Sequence, residues 1–198
     1  MEHYYVSKKN RSSQYMLISD YIRGLTVEFE VIPGLFSYRQ IDEGTRLLIE
    51  NLEIPSEGRV LDLGCGYGAI GIVVALLNPK LEVYMVDINR EAVRLAERNV
   101  IRNKIDPQRI KIFQGNLYEP VKDILFNAIY SNPPYSAGSQ VIEELITQAP
   151  QHLKTAGIIQ IVARKGAEKV YKLMKETFGN VETVASKRGY KVFKSYKE

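Results

Sequence analysis

The stretch Arg59-Val-Leu-Asp-Leu-Gly-Cys-Gly-Tyr-Gly68 joins an apolar strand to a glycine-rich loop, and it decides the fold class. The apolar segment Ala69–Leu77 follows directly and is predicted to be a helix that ends at Asn78-Pro79. Glycines between a strand and a helix allow positive φ angles and let a ligand approach the backbone closely. The amino end of the helix adds free N–H groups. This pattern therefore predicts an α/β fold with a ligand site at the loop.

Strands and helices alternate along the rest of the chain. Further strands are predicted over 82–87, 109–113, 127–131, 157–163, 181–185 and 190–196, and helices over 42–52, 141–153 and 165–178, with another helix capped by Asn89. This alternation indicates a mostly parallel sheet covered by helices on both faces. The last two strands are joined by residues 186–189 alone, which is too short for a crossover helix, so we expect an antiparallel hairpin.

The first 40 residues do not follow this alternation. Short strands are predicted over 4–7 and 25–32, and a turn at Pro33-Gly34. We therefore expect a β-rich N-terminal extension over residues 1–40, packed on a domain formed by residues 41–198.

Composition excludes several classes of protein. The chain has 198 residues, of which 45% are hydrophobic and 25% charged, as expected for one soluble globular domain. Its one cysteine, Cys65, and two distant histidines, His3 and His152, argue against a disulfide framework and a metal site. The apolar runs are too short to cross a membrane, and the amino end lacks the features of a signal peptide. We expect a cytoplasmic protein without metal.

Positive charge is concentrated near the carboxyl end. Residues 164–198 contain ten Lys and Arg against four Asp and Glu, a net charge of +6. A smaller basic cluster, Lys8, Lys9 and Arg11, lies near the start. Such charge is compatible with a solvated surface or with a face that binds phosphate groups.

Two acidic residues distinguish between possible cofactors. Residues 66–71 fit the dinucleotide fingerprint, so a nicotinamide cofactor has to be considered. Asp87 ends the second strand, where a carboxylate can hold the ribose hydroxyls of any adenosine cofactor. Asp62 lies two residues before Gly64, where it would repel a pyrophosphate but attract the ammonium and sulfonium of S-adenosylmethionine. The pattern favours S-adenosylmethionine, although Asp62 could instead accept hydrogen bonds from loop amides.

The segment Asn132-Pro133-Pro134-Tyr135 follows the fourth strand and is the candidate catalytic segment. The prolines make it rigid and remove two N–H donors, leaving the Asn132 side-chain oxygen and the Pro133 carbonyl as acceptors. Two fixed acceptors match the two hydrogens of a planar –NH₂ group. Holding both hydrogens can direct the nitrogen lone pair at a methyl group on sulfonium, so that positioning and electrostatics drive the transfer. Tyr135 would stack on a planar substrate.

These motifs resemble the class I S-adenosylmethionine-dependent methyltransferases of the small methyltransferase domain family. The chain is most similar to catalytic domains of ribosomal-RNA guanine-N2 methyltransferases and to their stand-alone archaeal relatives. The matching stretches lie at 33–37, 41–45, 60–68, 86–87, 132–135 and 189–192. The resemblance implies a Rossmann-like fold whose seven-stranded, mostly parallel sheet has an antiparallel last strand.

The resemblance also implies roles for particular residues. Asp87 would hold the ribose, Asp62 and the glycine loop the methionine end, and residues 115–117 would border the adenine. Asn116 stands where many relatives carry Asp, but its side chain can still accept a hydrogen bond. The candidate cofactor-binding residues are Asp62, Gly64, Cys65, Gly66, Tyr67, Gly68, Asp87, Ile88, Asn116, Leu117 and Asn132.

The expected reaction is N-methylation of an exocyclic amine in an RNA base, at guanine N2 or cytosine N4 of ribosomal RNA. The large ribosomal enzymes have a second domain for RNA recognition, and we expect none in this chain. RNA contacts are therefore expected from Phe36, Tyr38, Arg39, Lys8, Lys9, Arg11, Lys187 and Arg188. A protein glutamine methyltransferase is the alternative, since its substrate carboxamide presents the same –NH₂ group. A non-catalytic RNA-binding module and a nicotinamide oxidoreductase are also considered, and the oligomeric state is left open.

Overall fold

The computed structural model describes residues 15–33, 40–133 and 138–198. The strands are β1 (Met16–Ile22), β2 (Leu25–Val31), β3 (Gly58–Leu63), β4 (Leu81–Asp87), β5 (Ile110–Gln114), β6 (Phe126–Ser131), β7 (Leu153–Ala163), β8 (Glu182–Lys187) and β9 (Tyr190–Tyr196). The helices are α1 (Glu43–Glu50), α2 (Ala69–Leu77), α3 (Arg90–Arg102), α4 (Ser139–His152) and α5 (Ala167–Phe178). Among the described residues, no helix is long and apolar enough to cross a membrane.

Seven strands form one sheet in the order β5-β4-β3-β6-β7-β9-β8. Neighbouring strands from β5 to β7 are parallel, and β9 is antiparallel to both β7 and β8. The predicted seven-stranded sheet with an antiparallel last strand is therefore confirmed. Arg188 and Gly189 have φ angles of 50° and 82°, which suits the tight turn between β8 and β9.

The sheet is covered on both faces because successive side chains of a strand point to opposite sides. Val60 of β3 packs with buried residues of α1, α2 and α3. Leu61 packs on the other face with buried residues of α4 and α5. The strands β3, β4 and β6 are buried on both faces, as expected for the centre of a parallel sheet.

An antiparallel hairpin, β1–β2, precedes this sheet. The strand predicted over 25–32 is confirmed as β2, whereas β1 was not predicted. Leu17 and Tyr21 are exposed although Ile18 and Ile22 are buried, so apolar residues occupy both faces and obscure the alternation that marks a strand. The predicted strand over 4–7 and the turn position Gly34 lie outside the described residues.

The hairpin shares one hydrophobic core with α1, α2 and α3. Ile18, Val27 and Phe29 belong to the same buried cluster as residues of α1, α2 and α3. The boundary between an extension and a domain at residue 40 stays a prediction.

Side-chain amides of α3 fasten β2 to the rest of the molecule. Asn99 accepts from Glu30 N at 2.7 Å and donates to Glu30 O at 3.0 Å. Asn103 makes the same pair of bonds with Glu28, at 3.1 and 2.7 Å. These amides satisfy backbone groups of β2 that a neighbouring strand would otherwise satisfy.

Candidate active site

A cavity of about 740 Å³ lies at the carboxyl edge of the sheet, next to the ends of β3, β4 and β6. The chain leaves β3 toward β4 on one side and reaches β6 on the other, so this is the point where strand order reverses. Open α/β sheets bind ligands at such a point, and the volume suits a small molecule. The predicted cofactor-binding residues that line the cavity are Gly64, Cys65, Gly66, Tyr67, Asp87, Ile88, Asn116, Leu117 and Asn132.

The glycine loop has the backbone geometry that its sequence predicts. Gly64, Gly66 and Gly68 have φ angles of 74°, 56° and 91°. The amides of Gly64 and Cys65 donate to Val86 O at 2.8 and 3.0 Å, which ties the loop to the end of β4. Nothing lies within 4 Å of the position that a Cβ of Gly64 would occupy, so this part of the loop is open to a ligand.

Asp87 lies at the end of β4 and faces the same cavity. Its Oδ2 accepts from Gly66 N and its Oδ1 from Asn89 N, each at 2.8 Å. A carboxylate oxygen can accept more than one hydrogen bond, so these two amides orient the group and leave it able to bind hydroxyls. Ile88 beside it is 68% exposed and lines the cavity. An acceptor next to an exposed apolar surface suits a ribose attached to a planar base.

Asp62 does not lie in the cavity wall, contrary to the expectation of direct contact with the methionine end. It is 1% exposed beneath the loop, and its Oδ2 accepts from Gly71 N at 2.9 Å. No described residue donates to its Oδ1. Burial raises its pKa to about 7, with a smaller contribution from Asp87, while the Gly71 amide acts in the opposite direction. The sequence had left open such a bond to a backbone amide.

Gly68 also lies outside the cavity wall, and its role is packing. A Cβ there would come within 3.3 Å of the Ala96 side chain of α3. The residues that follow β5, Gly115, Asn116 and Leu117, form another wall of the cavity. These residues and Ile88 bound a largely apolar part of the cavity, as expected for an adenine site.

The opposite wall contains Asn132 and the buried residue Pro133, which follow β6. The Asn132 Nδ2 group donates to Thr45 Oγ1 at 2.8 Å and to Asp42 Oδ1 at 3.3 Å. With its amide hydrogens directed at α1, Asn132 has an oxygen to which no residue of the described ranges donates, and that oxygen can accept. Pro134 and Tyr135, the other two residues of the candidate catalytic segment, lie outside the described residues.

Lys187 ends β8 and Arg188 follows it in the turn to β9, next to Tyr190, which lines the same cavity as Asn132. Arg188 forms an ion pair with Glu43, the neighbour of Asp42. The predicted convergence of these cations toward Asn132 is compatible with this placement, and their contact with RNA stays a prediction. The remaining candidate substrate residues, Phe36, Tyr38, Arg39, Lys8, Lys9 and Arg11, lie outside the described residues.

The residues that line the cavity without a predicted role include Asp42, Thr45 and Tyr190. Asp42 is the N-cap of α1, and its Oδ1 also accepts from Thr45 N at 3.0 Å. Tyr190 begins β9 and packs on Gly44, where a Cβ would come within 2.8 Å of the Tyr190 ring. A signal for all three was present, because they lie in the stretches 41–45 and 189–192 that carry the family resemblance.

Comparison with known proteins identifies the family. The methyltransferase small domain family matches residues 26–194. This chain belongs to the methyltransferase small domain family. Among other members, an uncharacterised protein of Bacillus subtilis is 36% identical over 99% of this chain and 98% of its own length. A ribosomal RNA small subunit methyltransferase C of Hamiltonella defensa is 34% identical over 85% of this chain.

The chain spans about half the length of the small-domain methyltransferases named for ribosomal RNA, 50% in the case of the Hamiltonella protein. A similar relation holds for a solved structure, the Thermus thermophilus 16S rRNA N2 G1207 methyltransferase in complex with AdoMet and guanosine. It superposes with a TM-score of 0.79 over 93% of this chain and 51% of that chain, at 24% identity. This likeness concerns the fold, and it agrees with the class I methyltransferase fold expected from the sequence.

Proposed function

We propose that this chain is an S-adenosylmethionine-dependent N-methyltransferase that modifies an exocyclic amine of an RNA base. The proposed target is ribosomal RNA, at guanine N2 or cytosine N4. Family membership supports methyl transfer, and the names of the relatives support ribosomal RNA. The observation that supports an amine as the target is the placement of Asn132, which lines the same cavity as Asp87 and whose side-chain oxygen accepts no bond from the part of the chain that the structure describes.

The cavity residues fit S-adenosylmethionine at both of its ends. The Asp87 carboxylate and the exposed Ile88 suit the adenosine, and the open glycine loop suits the methionine. Asp62 beneath the loop places a titratable group near that end, and its Oδ1 accepts no bond from the described residues. A cationic ligand would favour its ionised form. When bound, the cofactor would supply an electrophilic methyl group on sulfonium, and its sulfur would keep the electron pair of the broken C–S bond and leave as a thioether.

The protein contributes to this reaction by positioning the target amine. Asn132 Oδ1 and the Pro133 carbonyl accept the two hydrogens of the target amine and direct its lone pair into the cavity. A methyl group transferred in line leaves the nitrogen with an extra proton, which passes to solvent. Fixed acceptors of this kind stabilise the developing positive charge without reorganising during the reaction.

RNA rather than protein is the proposed substrate because of the surface beside the site. Arg164 and Lys165 follow β7, and Lys187 and Arg188 join β8 to β9, so four cations lie on two neighbouring strand ends. The first two are exposed, as are the second two. A phosphate backbone is attracted by such a group, whereas a glutamine side chain needs none.

The test is methyl transfer from labelled cofactor into total RNA and total protein, followed by nucleoside analysis. We expect label in RNA, in a methylated guanosine or cytidine. Label in protein alone would replace this proposal by glutamine methylation, and RNA binding without transfer would replace it by a binding module.

The role of Asn132 is tested separately. Asn132→Ala should lower the single-turnover rate by about 10²- to 10³-fold, the loss typical of one transition-state hydrogen bond. Cofactor affinity, measured by calorimetry, should change much less. Saturating RNA keeps binding defects from being mistaken for chemical ones. An unchanged rate would show that Asn132 is only a strand terminator.

A further inference from the structure

We propose that Asp42 and Thr45 are positioning residues that hold the Asn132 amide in the orientation in which its oxygen meets the target amine. The inference rests on the proposed function. It concerns the amino end of α1, which has no role in the predicted site. Asp42 lies 90 residues before Asn132 in the chain, and Thr45 lies 87 residues before it.

The contacts leave the Asn132 amide little freedom. Thr45 is 7% exposed, and its Oγ1 accepts from Asn132 Nδ2 at 2.8 Å. Asp42 Oδ1 lies 3.3 Å from the same nitrogen. An NH₂ group has two hydrogens, so both can be used by these acceptors. The Asn132 oxygen is then the part of the amide left for a ligand.

Asp42 makes this orientation selective. If the Asn132 amide turned by 180°, its oxygen would face these two side chains. A threonine hydroxyl can donate or accept, so Thr45 could tolerate the change. An ionised carboxylate only accepts, so Asp42 would face the oxygen without a hydrogen bond and with like partial charge. The carboxylate thus distinguishes the two orientations.

The wrong orientation would be unproductive. A turned Asn132 would present Nδ2 hydrogens to the hydrogens of the target amine, and two donors cannot form a hydrogen bond. Binding and alignment of the nitrogen lone pair would both suffer. A carboxylate that accepts from an amide also polarises it, which makes the opposite oxygen a better acceptor.

The amino end of α1 is itself held in place. Asp42 Oδ1 accepts from Thr45 N at 3.0 Å as the helix cap. The ring of Tyr190 packs against Gly44, where there is no room for a side chain. Glu43 is paired with Arg188 of the β8–β9 turn. The orienting residues are therefore fixed to the sheet edge from which Asn132 projects.

Two substitutions separate orientation from helix capping. Asp42→Asn keeps a side-chain oxygen for the cap, since Asn and Asp are comparable N-caps. The same Oδ1 serves the cap and the Asn132 contact, so this variant keeps the acceptor but removes the negative charge that disfavours a turned Asn132, and the orientation is selected less strongly. Thr45→Val keeps the branched shape and removes the acceptor, and Thr45→Ser restores it. Glu50→Gln, at the far end of α1, is the matched control for loss of an acidic group on this helix.

We expect Asp42→Asn and Thr45→Val to lower the single-turnover rate on the order of 10- to 100-fold, as misplacement of a reacting group can do. Cofactor affinity and melting temperature should change little. Thr45→Ser and Glu50→Gln should react at close to the parent rate. In NMR spectra, the Asn132 side-chain NH₂ resonances should shift or broaden in the two slow variants and not in the two controls.

The double variant Asn132→Ala/Thr45→Val distinguishes this inference from the proposed function. If Thr45 acts through Asn132, the double variant should be no slower than Asn132→Ala alone. The inference would be overturned if Asn132→Ala were slow while Asp42→Asn and Thr45→Val kept the parent rate and unchanged NH₂ resonances. That result would leave the proposed function intact. A parent rate in Asn132→Ala would overturn the acceptor mechanism itself.

Discussion

Asn99 should connect the β1–β2 hairpin to cofactor binding, and Asn103 provides a matched control. Both side chains bind the backbone of β2 through one donated and one accepted bond. Only Asn99 also donates to Tyr67 O of the glycine loop, at 2.9 Å. Alanine at either position removes support from β2, but alanine at 99 also releases the loop.

The difference in burial sets the size of each effect. Asn99 is 0% exposed, so Asn99→Ala removes its bonds to Glu30 N, Glu30 O and Tyr67 O where water has poor access. At roughly 1–1.5 kcal/mol for each lost bond, the free energy of unfolding should fall by about 3–5 kcal/mol. Asn103 is only half-buried, so water can replace its bonds, and about 1–2 kcal/mol is expected.

Two measurements check this prediction. Chemical or thermal denaturation should give a decrease in melting temperature of roughly 2–4 °C for each kcal/mol lost. Calorimetry should show weaker S-adenosylmethionine binding in Asn99→Ala and parent affinity in Asn103→Ala. Equal losses of stability in the two variants, or equal losses of affinity, would refute the reasoning.

Two further predictions concern pH and salt. Because the folded state raises the pKa of Asp62 from 3.8 to about 7, it favours the neutral acid. The contribution of Asp62 to the free energy of unfolding is therefore fully present below pH 4 and declines toward pH 7 by about 4 kcal/mol. Asp62→Asn should abolish that decline when the free energy of unfolding is measured by denaturation between pH 5 and 8. If the free energies of the parent and of Asp62→Asn changed in parallel with pH, the assignment of the decline to Asp62 would be wrong. Replacing Lys187 and Arg188 by alanine should reduce the salt dependence of RNA affinity. The slope of log K against log salt should change by about 0.7 for each single-strand phosphate that the protein no longer neutralises. Lys172→Ala, on exposed α5, is the control and should leave that slope unchanged.

Local sequence patterns predicted most of the fold. The glycine loop at 64–68 and the helix after it were predicted because strand, turn and helix are encoded by neighbouring residues. The Asn89 cap was predicted correctly, since its side chain accepts from Glu91 N at 2.9 Å. The strand β1 was not predicted, because its outward face carries apolar residues that hide the alternation.

The site was predicted less completely, and the reason is sequence distance. Asp87 and Asn132 could be identified because Asp87 ends a predicted strand and Asn132 follows one, and the carboxyl ends of parallel strands meet at one edge of a sheet. Asp62 also lies near the carboxyl end of a strand, β3. Whether its carboxylate turns toward the cavity or toward the Gly71 amide depends on packing around it, and the structure places it beneath the loop.

The sequence by itself therefore determined the strand-loop-helix unit and the order of strands and helices in the seven-stranded domain, and it predicted Asp87 and Asn132 as acceptors, which the structure places in one cavity. Only the tertiary structure decided which other residues lie beside Asn132. Asp42 and Thr45 reach it because α1 packs on the sheet edge, and Tyr190 reaches the cavity because β9 runs antiparallel to β7. These contacts join residues from distant parts of the chain. They depend on how whole elements pack, which the pattern of neighbouring residues does not specify.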